Sequence, residues 1–141
     1  MHDKLYIGGR WVDPDSGKLF DVINPATEEV FDHVPAGNAS DIAKAVAAAR
    51  LAFDTGPWPT LSGAARAVSL RKMADQISAR TDELARLEVE DNGKPLPEAV
   101  WDIEDTAACF HFYADLAERS DNEDEDNIFL LDENFTSKVI K

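Results

Sequence analysis

The sequence predicts one domain of the mixed α/β class, arranged as α+β: β-hairpins first, then a block of four helices, then a closing hairpin. β-favouring residues dominate positions 1–36, and apolar residues recur at helical spacing through 38–119. β-favouring residues return at 128–141, after an acidic stretch at 120–127. A chain of 141 residues suits a single hydrophobic core rather than two.

Two turns predict two hairpins at the beginning of the chain. Gly8-Gly9 interrupts the β-favouring stretch KLYIGGRWV, and a pair of glycines tolerates the positive φ angles of a two-residue turn. Asn24-Pro25 is a turn-forming pair, and it separates extended runs at Leu19–Ile23 and Glu29–Val34.

The first two helices are predicted from their N-caps and their apolar spacing. Asn38 or Ser40 is a suitable N-cap for the first, and the glycine and prolines of DTGPWP cannot continue it. A second helix is predicted from Ser62 to Ala79. The predicted buried stripe of the first helix is Ile42, Val46, Ala49 and Phe53, and that of the second is Leu70, Met73, Ala74 and Ile77.

Two further helices complete the predicted block. Thr81 opens a short third helix, and Asn92-Gly93 closes it by supplying a residue in the left-handed conformation. Pro95 suits the first turn of a fourth helix, which is predicted from Leu96 to Arg119. The predicted buried stripe of this helix is Val100, Ile103, Ala107, Phe110 and Ala114.

The last segment is predicted to be a solvated acidic loop, SDNEDEDN at 120–127, followed by a hairpin at 128–141. In that hairpin IFLL and FTSKVIK flank the turn DEN. The last strand reaches Lys141 without a turn residue or cap, and an open β-edge is an aggregation hazard that proteins pair or cover. We therefore expect either a partner strand or a longer polypeptide.

The net charge argues against two classes of partner. With 28 acidic against 14 basic residues, a net charge of −14 repels phosphate backbones and anionic lipid, so we expect no nucleic acid and no membrane as partner. Cationic ligands, a saline habitat and simple solubility remain open. A single cysteine, no basic leader followed by an apolar stretch, and no apolar run of membrane-spanning length predict a cytoplasmic protein.

The residues that usually carry catalysis form no recognisable constellation in the sequence. Cys109 and His111 lie two positions apart on a predicted helix and point in different directions, so they cannot form a dyad within it. We expect Cys109 to be a small buried hydrophobic residue. His2, His33 and His111 lack the spacing of metal ligands, and no catalytic residue is predicted.

Three acids of the fourth predicted helix share one face, because Glu98, Asp102 and Asp105 are spaced by four and three residues. Like charges so close repel unless water or a cation lies between them, so this face is either solvated or attracts a cationic group. The neighbouring aromatic residues scatter around the helix axis, which favours core packing over a cage for a quaternary ammonium. They are Trp101, Phe110, Phe112 and Tyr113.

Five stretches, taken together and in order, closely resemble the N-terminal segment of the NAD(P)-dependent aldehyde dehydrogenase family: YIGGRWV, VINPATEEV, DIAKAVAAARLAF, LEVEDNGKPLPEA and WDIEDTAACFHFYADLAE. The nearest branch acts on betaine aldehyde and aminoaldehydes. The resemblance implies a full-length enzyme that oxidises such an aldehyde to a carboxylic acid with NAD or NADP. It covers the first quarter to third of such an enzyme, so the Rossmann core, the nucleophilic cysteine and the general-base glutamate are missing here, and Cys109 does not match that cysteine.

The resemblance also implies roles for individual residues. The carbonyl of Ile23 and the carboxylate of Asp91 match positions that hold a monovalent cation, although Asp91 has the alternatives of pairing with Lys94 or assisting the helix end. The acids Glu98, Asp102 and Asp105 match positions near the mouth of the substrate tunnel, where they would attract a cationic aldehyde.

The closing hairpin resembles the oligomerisation strands of the family. This implies that strand 135–141 pairs with another subunit or with the remainder of the dehydrogenase. Because the catalytic cysteine, the general-base glutamate and the cofactor domain of the family are missing, the resemblance also implies that the isolated chain is inactive. Two alternatives stay open from the sequence. One is a non-catalytic assembly module that pairs through the same edge strand, and the other is an unrelated acidic helical binding domain.

Overall fold

The computed structural model describes residues 3–119, 125–128 and 137–140, the last two ranges as backbone. Its strands and α-helices confirm the predicted mixed α/β fold. In chain order they are β1 Leu5–Ile7, β2 Arg10–Val12, β3 Leu19–Ile23, β4 Val30–Pro35, α1 Ala39–Thr55, α2 Gly63–Ser78, α3 Thr81–Asn92, α4 Leu96–Arg119, β5 Glu125–Ile128 and β6 Ser137–Ile140. A short 3₁₀ turn, Trp58–Thr60, follows α1.

The chain divides into two compact units. The first comprises Met1–Thr60 and Arg80–Glu104, and the second comprises Leu61–Ala79 and Asp105–Lys141. The strands β1 to β4, α1, α3 and the beginning of α4 therefore belong to the first unit. The assignment of 1–141 to one domain stays a prediction.

Both predicted N-terminal hairpins are present. In the first, Gly8 and Gly9 have φ angles of 59° and 78°, which match the positive values of a two-residue turn. Next to this turn Tyr6 pairs with Trp11 across the strands, and their ring centroids are 5.0 Å apart. These two aromatic side chains therefore stabilise the hairpin from one face.

The second hairpin, β3–β4, contains an irregularity that matters for the candidate site. Val22 lies opposite Asp32, whereas Ile23 lies opposite Val30, so Phe31 is an extra residue in β4. Successive residues of a regular strand point to opposite faces, and a bulge breaks this alternation. Phe31 and Asp32 can therefore face the same side of the sheet.

Asn38 rather than Ser40 caps α1. Its side-chain oxygen accepts hydrogen bonds from the backbone N–H groups of Ser40 and Asp41 at 2.8 and 3.1 Å. The Asp41 carboxylate in turn accepts the Asn38 N–H at 3.0 Å and the Asp15 N–H at 3.2 Å. Asp41 is only 2% exposed, so these N–H donors replace the water that its carboxylate loses.

The predicted buried stripe of α1 is wrong. Ile42, Val46 and Phe53 are exposed, Phe53 to 68%, and the face turned inward carries Asp41 and two half-buried alanines, Ala45 and Ala48. The reason is that α1 has two apolar faces, and the hydrogen bonds of Asp41 to the loop after β2 select the one that carries small residues.

The stripe of α2 is confirmed except for one residue. Ala74 is buried and Leu70 and Ile77 are half-buried, but Met73 is exposed. The predicted start of the helix is also confirmed, because the Ser62 hydroxyl oxygen accepts the Ala65 N–H at 3.2 Å as an N-cap.

The junction between α3 and α4 follows the prediction closely. Gly93 ends α3 with a φ angle of 77°, and its N–H donates to the Val89 carbonyl at 2.9 Å. Pro95 stands immediately before α4 rather than inside its first turn, and its carbonyl accepts the Ala99 N–H at 3.1 Å. The predicted inward stripe of α4 is confirmed, with Ala107 and Ala114 buried and Val100, Ile103 and Phe110 half-buried.

Other side chains of α4 depart from the predictions. Trp101, Phe112 and Tyr113 are exposed, Trp101 to 67%, so core packing is wrong for these three. Cys109 is also exposed, not buried. The physical reason is that alanines occupy the close-packed positions, and the space next to them is too narrow for large side chains. The buried hydrophobic residues in the described ranges are Ala67, Ala74, Ala85, Ala99, Ala107 and Ala114.

The closing hairpin is present with shifted bounds. Glu125 pairs with Ile140 and Ile128 with Ser137, so residues 125–127 belong to a strand rather than to the predicted acidic loop. Backbone pairing with β6 outweighs the low β propensity of these polar residues. The loop residues 120–124 and the predicted turn within 129–136 lie outside the described residues. None of the helices in the described ranges is both long and apolar enough to cross a membrane.

Candidate functional site

A groove of about 410 Å³ lies in the first unit, between β4 and α3. We call it the β4–α3 groove. Its lining includes side chains from β3, β4, α3 and α4, and most of that lining is apolar. The apolar residues are Val22, Phe31, Val34, Leu84, Leu87 and Ile103.

Local structure explains why these residues meet. The bulge in β4 lets Phe31 line the groove together with Asp32, its neighbour in sequence. On α3, Leu84, Leu87 and Asp91 recur at spacings of three and four residues, which place them on one helix face. The spacing on α3 can be recognised in the sequence. The groove was not predicted, because the wall formed by the sheet depends on the bulge in β4.

Three carboxylates also line the groove: Asp32, Glu88 and Asp91. Glu88 accepts a hydrogen bond from the Lys94 ammonium at 3.0 Å, which compensates its charge. Asp32 accepts the backbone N–H of His33 at 2.8 Å. Within the described ranges, neither Asp32 nor Asp91 forms an ion pair. The groove therefore combines apolar walls with negative charge.

Lys94 joins the groove to the acidic face of α4. Its ammonium binds Glu88 and also Asp102, and these two partners, Asp102 first, raise the pKa of Lys94 above its ordinary value of 10.5. Lys94 therefore pairs with these two carboxylates rather than with Asp91. Sequence reasoning missed the Asp102 partner, because Lys94 lies eight residues before it and on the far side of Pro95.

The residues proposed for a monovalent cation, Ile23 and Asp91, come from two segments that lie against each other. A Cβ atom placed on Gly93 would be 2.9 Å from the Pro25 ring, so the turn after Ile23 packs on the C-terminal end of α3. Asp91 lies in the last turn of that helix, where the carbonyl groups carry partial negative charge. Hard monovalent cations prefer such oxygen donors, so the residues present fit this kind of ion.

The acids expected near a tunnel mouth are all exposed on α4. Glu98 and Asp102 belong to the first unit and Asp105 to the second. Asp102 forms an ion pair with the Lys94 ammonium, which also binds Glu88. Glu98 and Asp105 form no ion pair with any residue of the described ranges. No group of three or more His, Cys, Asp or Glu side chains that could hold a metal ion occurs in those ranges either.

The second unit carries an ion-pair network between α2 and the end of α4. The Arg71 guanidinium donates to Glu118 at 2.6 Å and to Asp115 at 2.7 Å, and these partners raise the pKa of Arg71. Such a network clamps two helices together. It supplies no nucleophile or base, so the β4–α3 groove and the acids of α4 are the candidate functional features.

Comparison with known proteins agrees with the family resemblance seen in the sequence. The model for the aldehyde dehydrogenase family matches residues 11–139. Aminoaldehyde dehydrogenase 2 from Zea mays is 51% identical over 140 residues, which cover 97% of this chain and 28% of the maize protein. Betaine aldehyde dehydrogenase 1 from Oryza sativa subsp. japonica is 48% identical over the same shares.

Solved structures show the same likeness in three dimensions. Betaine aldehyde dehydrogenase from Staphylococcus aureus, solved in complex with NAD+, superposes with a TM-score of 0.81 at 33% identity. The superposition covers 98% of this chain and 27% of that protein. The chain thus spans little more than a quarter of the length of these relatives, and it matches their N-terminal part.

Proposed function

Since the chain belongs to the aldehyde dehydrogenase family, we propose that it serves the oxidation of a cationic aldehyde, betaine aldehyde or an aminoaldehyde, to the carboxylic acid. The observation that carries this proposal is the 51% identity with aminoaldehyde dehydrogenase 2 of Zea mays over 97% of the chain. Betaine aldehyde dehydrogenases among the relatives support the same class of substrate.

The proposed oxidant is NAD or NADP, which would accept the hydride of the aldehyde. The described residues do not fit this cofactor, because each described sheet is a two-stranded antiparallel hairpin and none leads through a glycine-rich loop into a helix. We assign them no step of hydride transfer. The 141 residues act as scaffold in a longer polypeptide and are inactive on their own, and the cytoplasmic location stays a prediction.

The acids of α4 are proposed to favour cationic aldehydes over neutral ones. Glu98, Asp102 and Asp105 share one helix, and all three are exposed to solvent. Their Coulomb attraction raises the local concentration of an ammonium group, most strongly at low ionic strength. Lys94 screens only part of this charge, since Glu88 shares its ammonium.

A monovalent cation is proposed to bind the carbonyl oxygen of Ile23 and the carboxylate of Asp91. The contact between Pro25 and Gly93 supports this, because it holds the two segments together. Such an ion would add a structural link between β3 and α3. Titration of the chain with KCl at constant ionic strength would test the site, and Asp91→Asn should abolish a saturable stabilisation by K+.

Oligomerisation is proposed to use strand 135–141. Its described part, β6, pairs with β5 in a sheet of two strands. The open edges of such a sheet suit pairing with a strand of another subunit. The same observation favours the second candidate function, a non-catalytic module that assembles with dehydrogenase subunits through this edge.

A chimera tests the proposed activity. The aligned N-terminal residues of the maize enzyme are replaced by this chain, and NADH formation is measured with betaine aldehyde, an aminoaldehyde and a neutral aldehyde of similar length. We expect the chimera to prefer the cationic aldehydes and the isolated chain to form no NADH. A chimera that assembles normally but oxidises none of them would refute the proposed function, and turnover by the chain alone would refute its scaffold role.

Charge-neutral variants of the chimera test the acids of α4. Glu98→Gln, Asp102→Asn and Asp105→Asn should each lower the ratio of kcat/KM for cationic over neutral aldehyde about two- to fivefold. Asp82→Asn, at the start of α3, removes the same charge elsewhere and is the matched control. If the ratio is unchanged in all three variants, the acids do not favour cationic aldehydes and are an ordinary solvated helix face.

A further inference from the structure

We propose that Asn92 is a site of spontaneous deamidation, and that the folded end of α3 controls its reactivity. Of the six asparagines in the sequence, Asn92 alone is followed by a glycine. Because glycine has no side chain, its backbone nitrogen can approach the preceding carboxamide without steric hindrance. Asn92 and Gly93 are also exposed, so water reaches both. The proposal concerns the chemistry of this junction and stands independently of the proposed dehydrogenase function.

The reaction is an intramolecular substitution followed by hydrolysis. The Gly93 nitrogen attacks Cγ of the Asn92 carboxamide, a new N–Cγ bond forms, and the Cγ–Nδ2 bond breaks as ammonia leaves with the proton of the Gly93 N–H. The product is a five-membered succinimide ring. Water then opens this ring on either side of its nitrogen. Cleavage at Cγ gives aspartate, and cleavage at the former backbone carbonyl carbon gives isoaspartate.

The folded end of α3 holds the two reacting groups in an unreactive geometry. Asn92 is the last residue of α3, and a nearly planar ring requires its Cα–Cβ bond to eclipse the bond to the Gly93 nitrogen. A helical ψ angle of about −42° prevents this arrangement. The Gly93 N–H also donates to the Val89 carbonyl at 2.9 Å, so the proton that must leave is held in a hydrogen bond. Ring closure therefore requires the last turn of α3 to open.

The carboxamide of Asn92 is held in place as well. Its oxygen accepts the backbone N–H of Lys94 at 2.9 Å, and its nitrogen donates to Glu88 at 3.4 Å. The Lys94 ammonium in turn donates to Glu88 at 3.0 Å. Lys94 thus anchors the chain to α3 through both its backbone and its side chain. Opening the end of α3 breaks these bonds together, which makes it rarer than the fraying of a free helix end.

Deamidation weakens the junction that it modifies. An aspartate in place of Asn92 adds negative charge at the C-terminal end of α3, where the carbonyl groups already carry partial negative charge. It also replaces the amide donor that faces Glu88 by a second acceptor. Isoaspartate adds one carbon atom to the main chain and lengthens the connection between α3 and α4. The modified end of α3 therefore opens more often than the original one.

Peptide mapping by mass spectrometry tests the proposal on the full 141-residue chain. The chain is incubated at one mildly alkaline pH and one temperature, in buffer and in guanidinium chloride that unfolds it. We expect aspartate and isoaspartate at Asn92 in the denaturant, and a rate at least about tenfold lower in the folded chain, because only the open state reacts. Asn38, which is followed by alanine, is the internal control and should react much more slowly in the denaturant.

Hydrogen exchange and a pair of lysine variants measure the control by α3. The Gly93 amide should exchange through the same opening, so its protection factor should agree with the ratio of the two deamidation rates within about threefold. Lys94→Met removes the side-chain anchor and should raise the rate in the folded chain about two- to fivefold. Lys72→Met, an equal change of charge at an exposed residue of α2, should leave it unchanged. Neither variant should change the rate in denaturant, and circular dichroism shows whether each is folded.

Four outcomes would overturn the proposal. No modification of Asn92 in denaturant would show that the site is unreactive, and equal rates with and without denaturant would show that α3 does not control it. Aspartate without isoaspartate would mean that water, rather than the Gly93 nitrogen, attacks the carboxamide. Equal acceleration by Lys94→Met and Lys72→Met would assign the effect to the charge of the chain instead of the anchor.

Discussion

Replacing Gly93 by alanine tests the contact on which the placement of Ile23 beside Asp91 depends. Gly93 has a φ angle of 77°, a left-handed conformation that costs an L-residue about 1–2 kcal/mol. A new Cβ atom would also lie 2.9 Å from the Pro25 ring, and relieving this overlap between two exposed residues costs about 1 kcal/mol, the low end of the cost of overpacking. We therefore expect Gly93→Ala to lower the free energy of unfolding by about 2–3 kcal/mol.

Gly17 provides the matched control, because it shares the backbone conformation without the contact. Its φ angle is 62°, and a Cβ atom there would meet no atom within 4 Å. Gly17→Ala should therefore cost only the conformational term, about 1–2 kcal/mol. The difference between the two variants isolates the overlap with Pro25.

Urea unfolding followed by circular dichroism gives both values, and the slope m shows whether the unfolded states are comparable. A double-mutant cycle adds a direct measure of the contact. In a Pro25→Ala background the ring is absent, so Gly93→Ala should there cost about as much as Gly17→Ala. Equal costs for Gly93→Ala and Gly17→Ala in the wild-type background would mean that Pro25 does not lie against Gly93, and the argument for a cation between Ile23 and Asp91 would fail.

Three further predictions concern single side chains. Asp41→Ala should lower the free energy of unfolding by about 2–3 kcal/mol, because buried backbone N–H groups lose their acceptor. As a control, Asp75→Ala at an exposed position should change it by under about 0.5 kcal/mol. If urea unfolding shows a similar loss of stability for both variants, Asp41 is not a buried cap. The pKa of Lys94 is raised, chiefly by Asp102, so this pairing stabilises the fold fully below pH 10.5 and is lost as the pH rises through the higher pKa of the folded state. Lys94→Met should accordingly be less stable than the wild type at neutral pH, and a stability gap that persists unchanged at strongly alkaline pH would contradict this linkage. Cys109 is exposed, so iodoacetamide should alkylate it in the native chain about as fast as in urea, and strong protection would show that it is buried.

Local signals predicted the elements well because each acts over a few residues. Gly8-Gly9 has the positive φ angles of a turn, Ser62 is the N-cap of α2, and Gly93 ends α3 in the left-handed conformation. In each case the side chain or its absence decides the backbone within one turn, without help from distant residues.

The buried face of α1 was predicted wrongly, because the sequence of this helix has two apolar faces. The apolar spacing of Ile42, Val46 and Phe53 satisfies a helical stripe, yet these side chains face solvent. The buried face lies about 100° further round the helix, and it was chosen by Asp41, whose carboxylate binds the backbone of Asp15, 26 residues away. A contact over that distance leaves no periodic trace in the sequence.

The sequence by itself determined the order and type of the elements from β1 to α4, and its ordered motifs placed the chain in the aldehyde dehydrogenase family. Only the tertiary structure decided which faces are buried, how Lys94 joins Glu88 to Asp102, and that the bulge in β4 opens a groove against α3. The physical reason is that caps and turns are satisfied by neighbouring residues, whereas burial and ion pairing depend on partners that the fold brings from elsewhere in the chain.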